Sequence, residues 1–222
     1  MNQCNVYIAK YPFSFKEDIY CHLRKEEIEK CRNSDVKEQK FYVWKLLEYA
    51  LFDTFGLEKS ILNFQKKNNG KWILDGYFFS LSHSGNIVVV AVSDSPIGVD
   101  IQKIKKIEDA SKFKAIIFSE KEKSKYRNVN DEQLMQIWSL KECSFKKSND
   151  SNFAPNRYEI DTLSRYNSLR MESQKDRYIL STLCNSINDV KYYSLFDEFR
   201  LQEIGKSVFV PVVCLHSKNN AI

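Results

Sequence analysis

Three short stretches of this sequence carry side chains able to bind charge and move protons. Asp100 and Gln102 alternate within Ile97-Gly-Val-Asp-Ile-Gln102, so a strand there turns both to one face. Trp138, Glu142 and Lys146 recur every four residues in Trp138-Ser-Leu-Lys-Glu-Cys-Ser-Phe-Lys146, which stacks a ring, a carboxylate and an ammonium along one side of a helix. Phe79-Ser-Leu-Ser-His-Ser-Gly85 ends a strand-like run on His83, flanked by the hydroxyls of Ser82 and Ser84. Carboxylates, imidazoles and ammonium groups serve cation binding, phosphate binding and proton transfer. Each stretch alone also has an ordinary use. His83 could be a satisfied structural histidine, Asp100 could end a strand, and Glu142 with Lys146 could be a helix-surface pair contributing ~0.2–0.5 kcal/mol.

The elements that must position these groups follow from periodicity and breakers. Asn5 to Ala9 reads as a first strand and Glu17 to Arg32 as a charged helix. A stronger helix follows, with Asp35 as cap, Glu38 three residues on, apolar positions at Val36, Val43, Leu47 and Leu51, and Gly56 as the stop. Strands are expected at Ile61 to Lys66, Lys71 to Asp75, Tyr77 to Ser82 and Ile87 to Ser93. After Pro96 the pattern restarts with a strand at Ile97 to Ile101, a helix near Ser111 to Phe118, another opening at Ser119 with Glu122 as capping partner, and the long helix from Asp131. Arg157 to Leu215 alternates like several strands, the last at Ser207 to Leu215. This pattern predicts an α+β fold made of a pseudo-twofold pair of similar halves, 1–96 and 97–222, with the site in the cleft between them.

The 222 residues, 43% hydrophobic and 14% aromatic, suffice for one full core or two small ones. Six Gly and four Pro leave no room for a long flexible linker. No apolar run has signal-peptide or membrane-spanning length, so a cytoplasmic protein with no membrane partner is expected. The six cysteines are scattered without CxxC spacing and read as reduced thiols; Cys21 and His22, adjacent on a helix, point in different directions and are not a ligand pair. Of the net charge of +5, a share of +4 falls between Asp100 and Lys147. That segment is either a solvated helical face or a surface for a polyanion or an acidic protein. Nucleic acid rests on charge alone, since no helix-turn-helix, RNP or zinc-finger pattern is present, and none is expected as a partner.

In order, residue types and separations, the three stretches together resemble the Sfp-type family of 4′-phosphopantetheinyl transferases, whose pattern joins Ser-His-Ser, Gly-(Ile/Val)-Asp-(Ile/Val)-Glu and Trp-Ser-x-Lys-Glu-(Ser/Ala)-x-x-Lys. Gly70-Lys71 and the basic Lys30-Cys31-Arg32 also fall where the family places such residues, and the resemblance weakens after Lys147. It implies transfer of the 4′-phosphopantetheine group of coenzyme A to a serine of an acidic apo-carrier protein of fatty-acid, polyketide or nonribosomal-peptide synthesis, with release of 3′,5′-ADP. Mg²⁺ would be held by Asp100 and Glu142, with Gln102 acting through a water. Glu142 would also be the general base, Lys146 would stabilise the leaving phosphate, and Asp100, Glu142 and Lys146 would form the catalytic set. Lys30, Lys71, Ser82, His83, Lys141 and Lys146 would contact coenzyme A, the N-terminal half carrying the coenzyme and the C-terminal half the metal and carrier. The family also implies a monomer.

Three departures from the pattern stand out. Gln102 replaces the family's Glu, Trp72 replaces Pro after Gly70-Lys71, and Glu27 falls near a second basic position. An amide supplies an oxygen but no charge, so Gln102 keeps open a rival reading, a non-catalytic homologue of the same fold that binds coenzyme A or a carrier without transfer.

Overall fold

The computed structural model describes residues 3–13, 18–148, 150–160, 166–173, 175–185, 190–195, 200–203 and 216–217, the last two segments through their backbone alone. The predicted last strand, Ser207 to Leu215, lies outside the described residues.

The chain is an α+β protein built on two main sheets, each backed by one long helix. Strand β1 (Cys4–Lys10) is followed by α1 (His22–Glu29) and α2 (Ser34–Phe55). Helix α1 starts five residues later than expected because the Glu48 carboxylate binds the backbone N–H groups of Tyr20 and Cys21, holding that segment out of the helix. The cap of α2 is Asn33, whose side chain accepts from the Val36 N–H, so Asp35 falls in the first turn instead. Gly56 does end the helix, in the left-handed conformation at φ 69°, open to glycine at no steric cost.

A two-stranded ribbon, β2 (Phe64–Lys66) with β3 (Trp72–Leu74), stands apart from the main sheet rather than joining it. Next come β4 (Phe78–Ser84), β5 (Ile87–Ser93) and β6 (Gly98–Lys103). Helices α3 (Ala110–Ile117) and α4 (Glu120–Lys125) lead to α5 (Asp131–Lys147). The predicted Ser119 and Glu122 capping box is present at α4, and Asn130 with Gln133 forms a second one at α5. The remaining described strands are β7 (Tyr166–Ser173), β8 (Asp176–Leu183), β9 (Val190–Leu195), β10 (Arg200–Glu203) and β11 (His216–Ser217), and short 3₁₀ turns lie at Lys59–Ile61 and Pro155–Arg157.

The first sheet has the order β11-β9-β1-β5-β4 and the second β10-β7-β8-β6. Strand β9 comes from the C-terminal part of the chain yet pairs parallel with β1, so the end of the chain ties back into the first sheet. Apolar alternation along β1 and β5 makes a layered core. Tyr7, Ala9, Val88, Val90 and Val92 pack under Trp44, Leu47 and Leu51 of α2. The opposite faces, with Val6, Ile8, Val89 and Ala91, meet Val99, Ile101, Met171 and Leu180 of the second sheet. A smaller cluster of Ile117, Phe118, Leu134, Ile137 and Leu140 lies beneath α3 and α5. Because Val99 and Ile101 face the first sheet, Asp100 and Gln102 face the other way, toward α5. Among the described residues no helix is long and apolar enough to cross a membrane.

Candidate active site

Strands β4 and β6 are the outer members of their sheets, and their edges meet through serine side chains. The Ser80, Ser82 and Ser84 hydroxyls accept from the N–H groups of Val99, Ile101 and Lys103 at 2.9, 3.1 and 3.0 Å. Both series advance by two, so the edges run parallel, and these three rungs satisfy N–H groups of β6 that would otherwise lack sheet partners.

Helix α5 closes on the same strand from the other face. A Cβ on Gly98 would sit 2.0 Å from the Cys143 carbonyl oxygen, so only glycine permits this approach of β6 to the helix backbone. The contact brings Lys146, in the last turn of α5, onto Asp100. Its Nζ lies 2.7 Å from Asp100 Oδ1, 3.2 Å from Ser82 Oγ and 3.2 Å from the Val99 carbonyl oxygen. Asp100 is 2% exposed, accepts from Ser82 Oγ at 2.8 Å on Oδ1, and accepts from the Gln102 amide at 2.9 Å on Oδ2. Ser139 Oγ donates to the Asp100 backbone carbonyl at 3.3 Å.

The charges of this cluster shape one another. Burial pushes the Glu142 carboxyl above its ordinary range, the Lys146 ammonium pulls it back, and Asp100 pushes it up again, with the net shift upward. Burial works against the charge on Lys146, but Asp100 and Glu142 together outweigh it and hold the ammonium above its usual value. His83 presents an exposed residue surface, yet the packing around its ring, followed by the Lys146 charge, keeps the imidazole below its ordinary value. Asp100, Glu142, Lys146 and His83 thus form one electrostatic group.

Other predicted residues stand elsewhere. Lys71 reaches the C-terminal end of α5, donating to the carbonyl oxygens of Lys146 and Ser148 at 3.0 and 2.8 Å, where the helix carries its negative pole. A cavity of about 300 Å³ beside it is lined by Lys71, Trp72, Phe79, Phe145 and Lys146. Lys141 points away from this cluster: its side chain is fully buried, 2.6 Å from Glu122, and also donates to the Pro155 carbonyl. That geometry corrects its assignment to coenzyme contacts, because helix phase separates it from Glu142 by roughly 100°. Lys30, 78% exposed at the end of α1, pairs loosely with Glu26 and is not among the groups around Asp100. Ser82 is 6% exposed and gives its proton to Asp100, so its hydroxyl is not available to a phosphate as expected. Trp138 rests between Phe113 and Phe153, a packing position. Glu27 gathers Arg24, Lys66 and Lys40 at 3.0, 2.9 and 3.7 Å, internal counter-charge where the family pattern is basic. Sequence reasoning missed the serine rungs, although the alternation Ser80, Ser82, Ser84 was visible, and it missed the Gly98 contact.

Among the described residues no three His, Cys, Asp or Glu side chains converge as a metal cluster. Asp100 and Glu142, with the oxygen of the Gln102 amide, are the hard oxygen donors at hand.

The segment that carries these groups has counterparts among known proteins. The family model of the 4′-phosphopantetheinyl transferase superfamily matches residues 96–181, which span β6, α5, β7 and most of β8. The 4′-phosphopantetheinyl transferase Sfp of Bacillus subtilis (strain 168) is 32% identical over 134 residues, 55% of this chain and 58% of that protein. The transferase psf-1 of Bacillus pumilus is 30% identical over 106 residues, 46% of each chain, and gsp of Aneurinibacillus migulanus is 30% identical over 122 residues, 52% of this chain and 51% of that protein. The matches thus span about half the length of these curated relatives. Asp100, Glu142 and Lys146 all lie inside the segment, residues 96–181, that matches the 4′-phosphopantetheinyl transferase superfamily, and over about half its length the chain is similar to Sfp-type transferases.

Proposed function

We propose that this protein transfers the 4′-phosphopantetheine group of coenzyme A to a serine of an apo-carrier protein, releasing 3′,5′-ADP. The observation that carries the reading is the buried Asp100 clasped by Lys146, Ser82 and Gln102 beside Glu142, a pair of carboxylates with one partly open ammonium.

Two carboxylates and an amide oxygen suit Mg²⁺, which takes one or two protein carboxylates and completes its shell with phosphate oxygens and water. Asp100 and Glu142 would hold it, and when bound it would concentrate positive charge on the pyrophosphate of coenzyme A. Glu142, already shifted toward neutrality by burial, is suited to take the proton of the carrier serine. Lys146 would exchange part of its hold on Asp100 for the phosphate oxygen on which charge develops. His83 and Lys71 flank the cluster on the side of the first half, where residues 1–96 would receive the coenzyme. Residues 97–222 would present the metal carboxylates and the cationic Asp100 to Lys147 segment, which favours an acidic carrier surface. A monomer suffices, since all these groups come from one chain. No disulfide joins two of the described cysteines, which would fit the reducing cytoplasm.

The test is to incubate the protein with coenzyme A, Mg²⁺ and a panel of fatty-acid, polyketide and nonribosomal-peptide apo-carriers, and to read each carrier by intact mass. A gain of one phosphopantetheine group supports the reading. Binding of coenzyme A or carrier with no mass gain on any carrier would replace it with a non-catalytic homologue.

A further inference from the structure

The hydrogen bonds of Ser82 set it apart from the two serines that share its strand face. A hydroxyl has one proton and two lone pairs. On Ser82 the Ile101 N–H and the Lys146 ammonium arrive as donors at 3.1 and 3.2 Å, so the proton is left for Asp100 Oδ1 at 2.8 Å. Ser80 and Ser84 make the same rung to β6, and among the described residues neither is bonded to a carboxylate.

We infer that Ser82 is a positioning residue for Asp100: its hydroxyl, fixed by the β6 backbone and by Lys146, holds the carboxylate in the orientation that a cation at the site requires. The inference rests on the transferase reading in one respect, that Asp100 is a metal carboxylate. One atom thereby couples the seam between the sheets to the catalytic carboxylate, so an error in the seat of β6 against β4 is felt directly at Asp100. Outer-sphere hydrogen bonds of this kind orient ligating groups, and their loss commonly weakens metal affinity by ~10–100-fold.

The experiment uses Mn²⁺ as the probe, followed by water-proton relaxation in the presence of coenzyme A, with the coenzyme-only signal subtracted. The full chain is compared with Ser82→Ala, Ser82→Thr and Ser80→Ala, and thermal unfolding is recorded for each. Ser80→Ala and Ser82→Ala each lose one rung and should lower Tm by similar amounts. Only Ser82→Ala should weaken Mn²⁺ binding, by about tenfold or more, and Ser82→Thr, which keeps the hydroxyl, should restore it. Wild-type Mn²⁺ affinity in folded Ser82→Ala would overturn the assignment alone, as would equal weakening in Ser80→Ala, which would make the rung rather than Asp100 responsible. A wild-type chain that binds no Mn²⁺ would overturn the metal reading and this inference with it. Should Ser82→Ala not fold, Ser82→Cys, with its weaker donor, carries the same comparison.

Discussion

Two lysines five residues apart on α5 each meet a buried carboxylate, and their surroundings differ in one respect that separates architecture from chemistry. Lys141 and Glu122 lie 2.6 Å apart with side chains 0% and 2% exposed. The further bonds of this pair are to protein groups: Glu122 also accepts from the N–H groups of Ser119 and Ile160, and Lys141 donates to the Pro155 carbonyl. Lys146 and Asp100 lie 2.7 Å apart, but the lysine side chain is 24% exposed and lines the cavity beside Trp72 and Phe145. A pair enclosed on every side can only hold α4, α5 and the following turn together. A pair open on one side can exchange part of its contact for an incoming anion.

Replacing each lysine by methionine should therefore give opposite phenotypes. Lys146→Met should cost about 10²-fold or more in transfer rate, the scale for removing one preorganised charge donor, while the fold persists because water can reach Asp100 from the open side. Lys141→Met leaves Glu122 buried without its cation, a loss of ~3–5 kcal/mol and so a drop in Tm on the order of 10 °C, with transfer retained at temperatures where the protein is folded. Transfer assays and calorimetry on both variants decide the comparison. If Lys141→Met abolished transfer at unchanged Tm, the two lysines would have to exchange roles.

Gly98→Ala sharpens the same contrast, because it perturbs the approach of α5 to β6 rather than either charge. The added Cβ would meet the Cys143 carbonyl oxygen at 2.0 Å, so backbone must move, at a cost of ~1–3 kcal/mol. Displacing Asp100 from Lys146 in this way should slow transfer beyond what the lost stability explains. Wild-type rates in folded Gly98→Ala would show that the site tolerates looser seating.

A third buried carboxylate extends the comparison. Glu48, 1% exposed, is held by the N–H groups of Tyr20 and Cys21 and the indole of Trp44, and burial raises its carboxyl above the ordinary 4.5. A raised folded-state value means the native protein binds this proton more tightly than the unfolded chain. The stability of wild type relative to Glu48→Gln should therefore fall as pH rises from 4.5 through the raised value, then level off. Urea unfolding at a series of pH values reads this difference; a flat one would contradict the burial argument.

Much of this arrangement could be read from the amino acids before the coordinates. The i, i+4 spacing of Trp138, Glu142 and Lys146 and the i, i+2 spacing of Asp100 and Gln102 already implied a shared side for each set, because both periods are properties of the backbone. Gly56 and the Ser119 box marked helix ends through local chemistry alone. What escaped depended on tertiary contact. Lys141 looked functional beside Glu142, and only the position of Glu122 on another helix shows where it turns. Ser82 looked like a phosphate ligand until the edge of β6 arrived beside it. The cap of α2 fell to Asn33 rather than Asp35, a choice between neighbouring residues that local propensity ranks almost equally.

As the proposed metal carboxylate, Asp100 would lend its charge to the chemistry and not to the fold. The most direct test is the transfer rate of Asp100→Asn, an isosteric change, measured by intact carrier mass at saturating coenzyme A and Mg²⁺ alongside its Tm. A loss of ~10²-fold or more is expected, with Tm shifted by only a few degrees. A folded Asp100→Asn protein that transfers at close to the wild-type rate would contradict it.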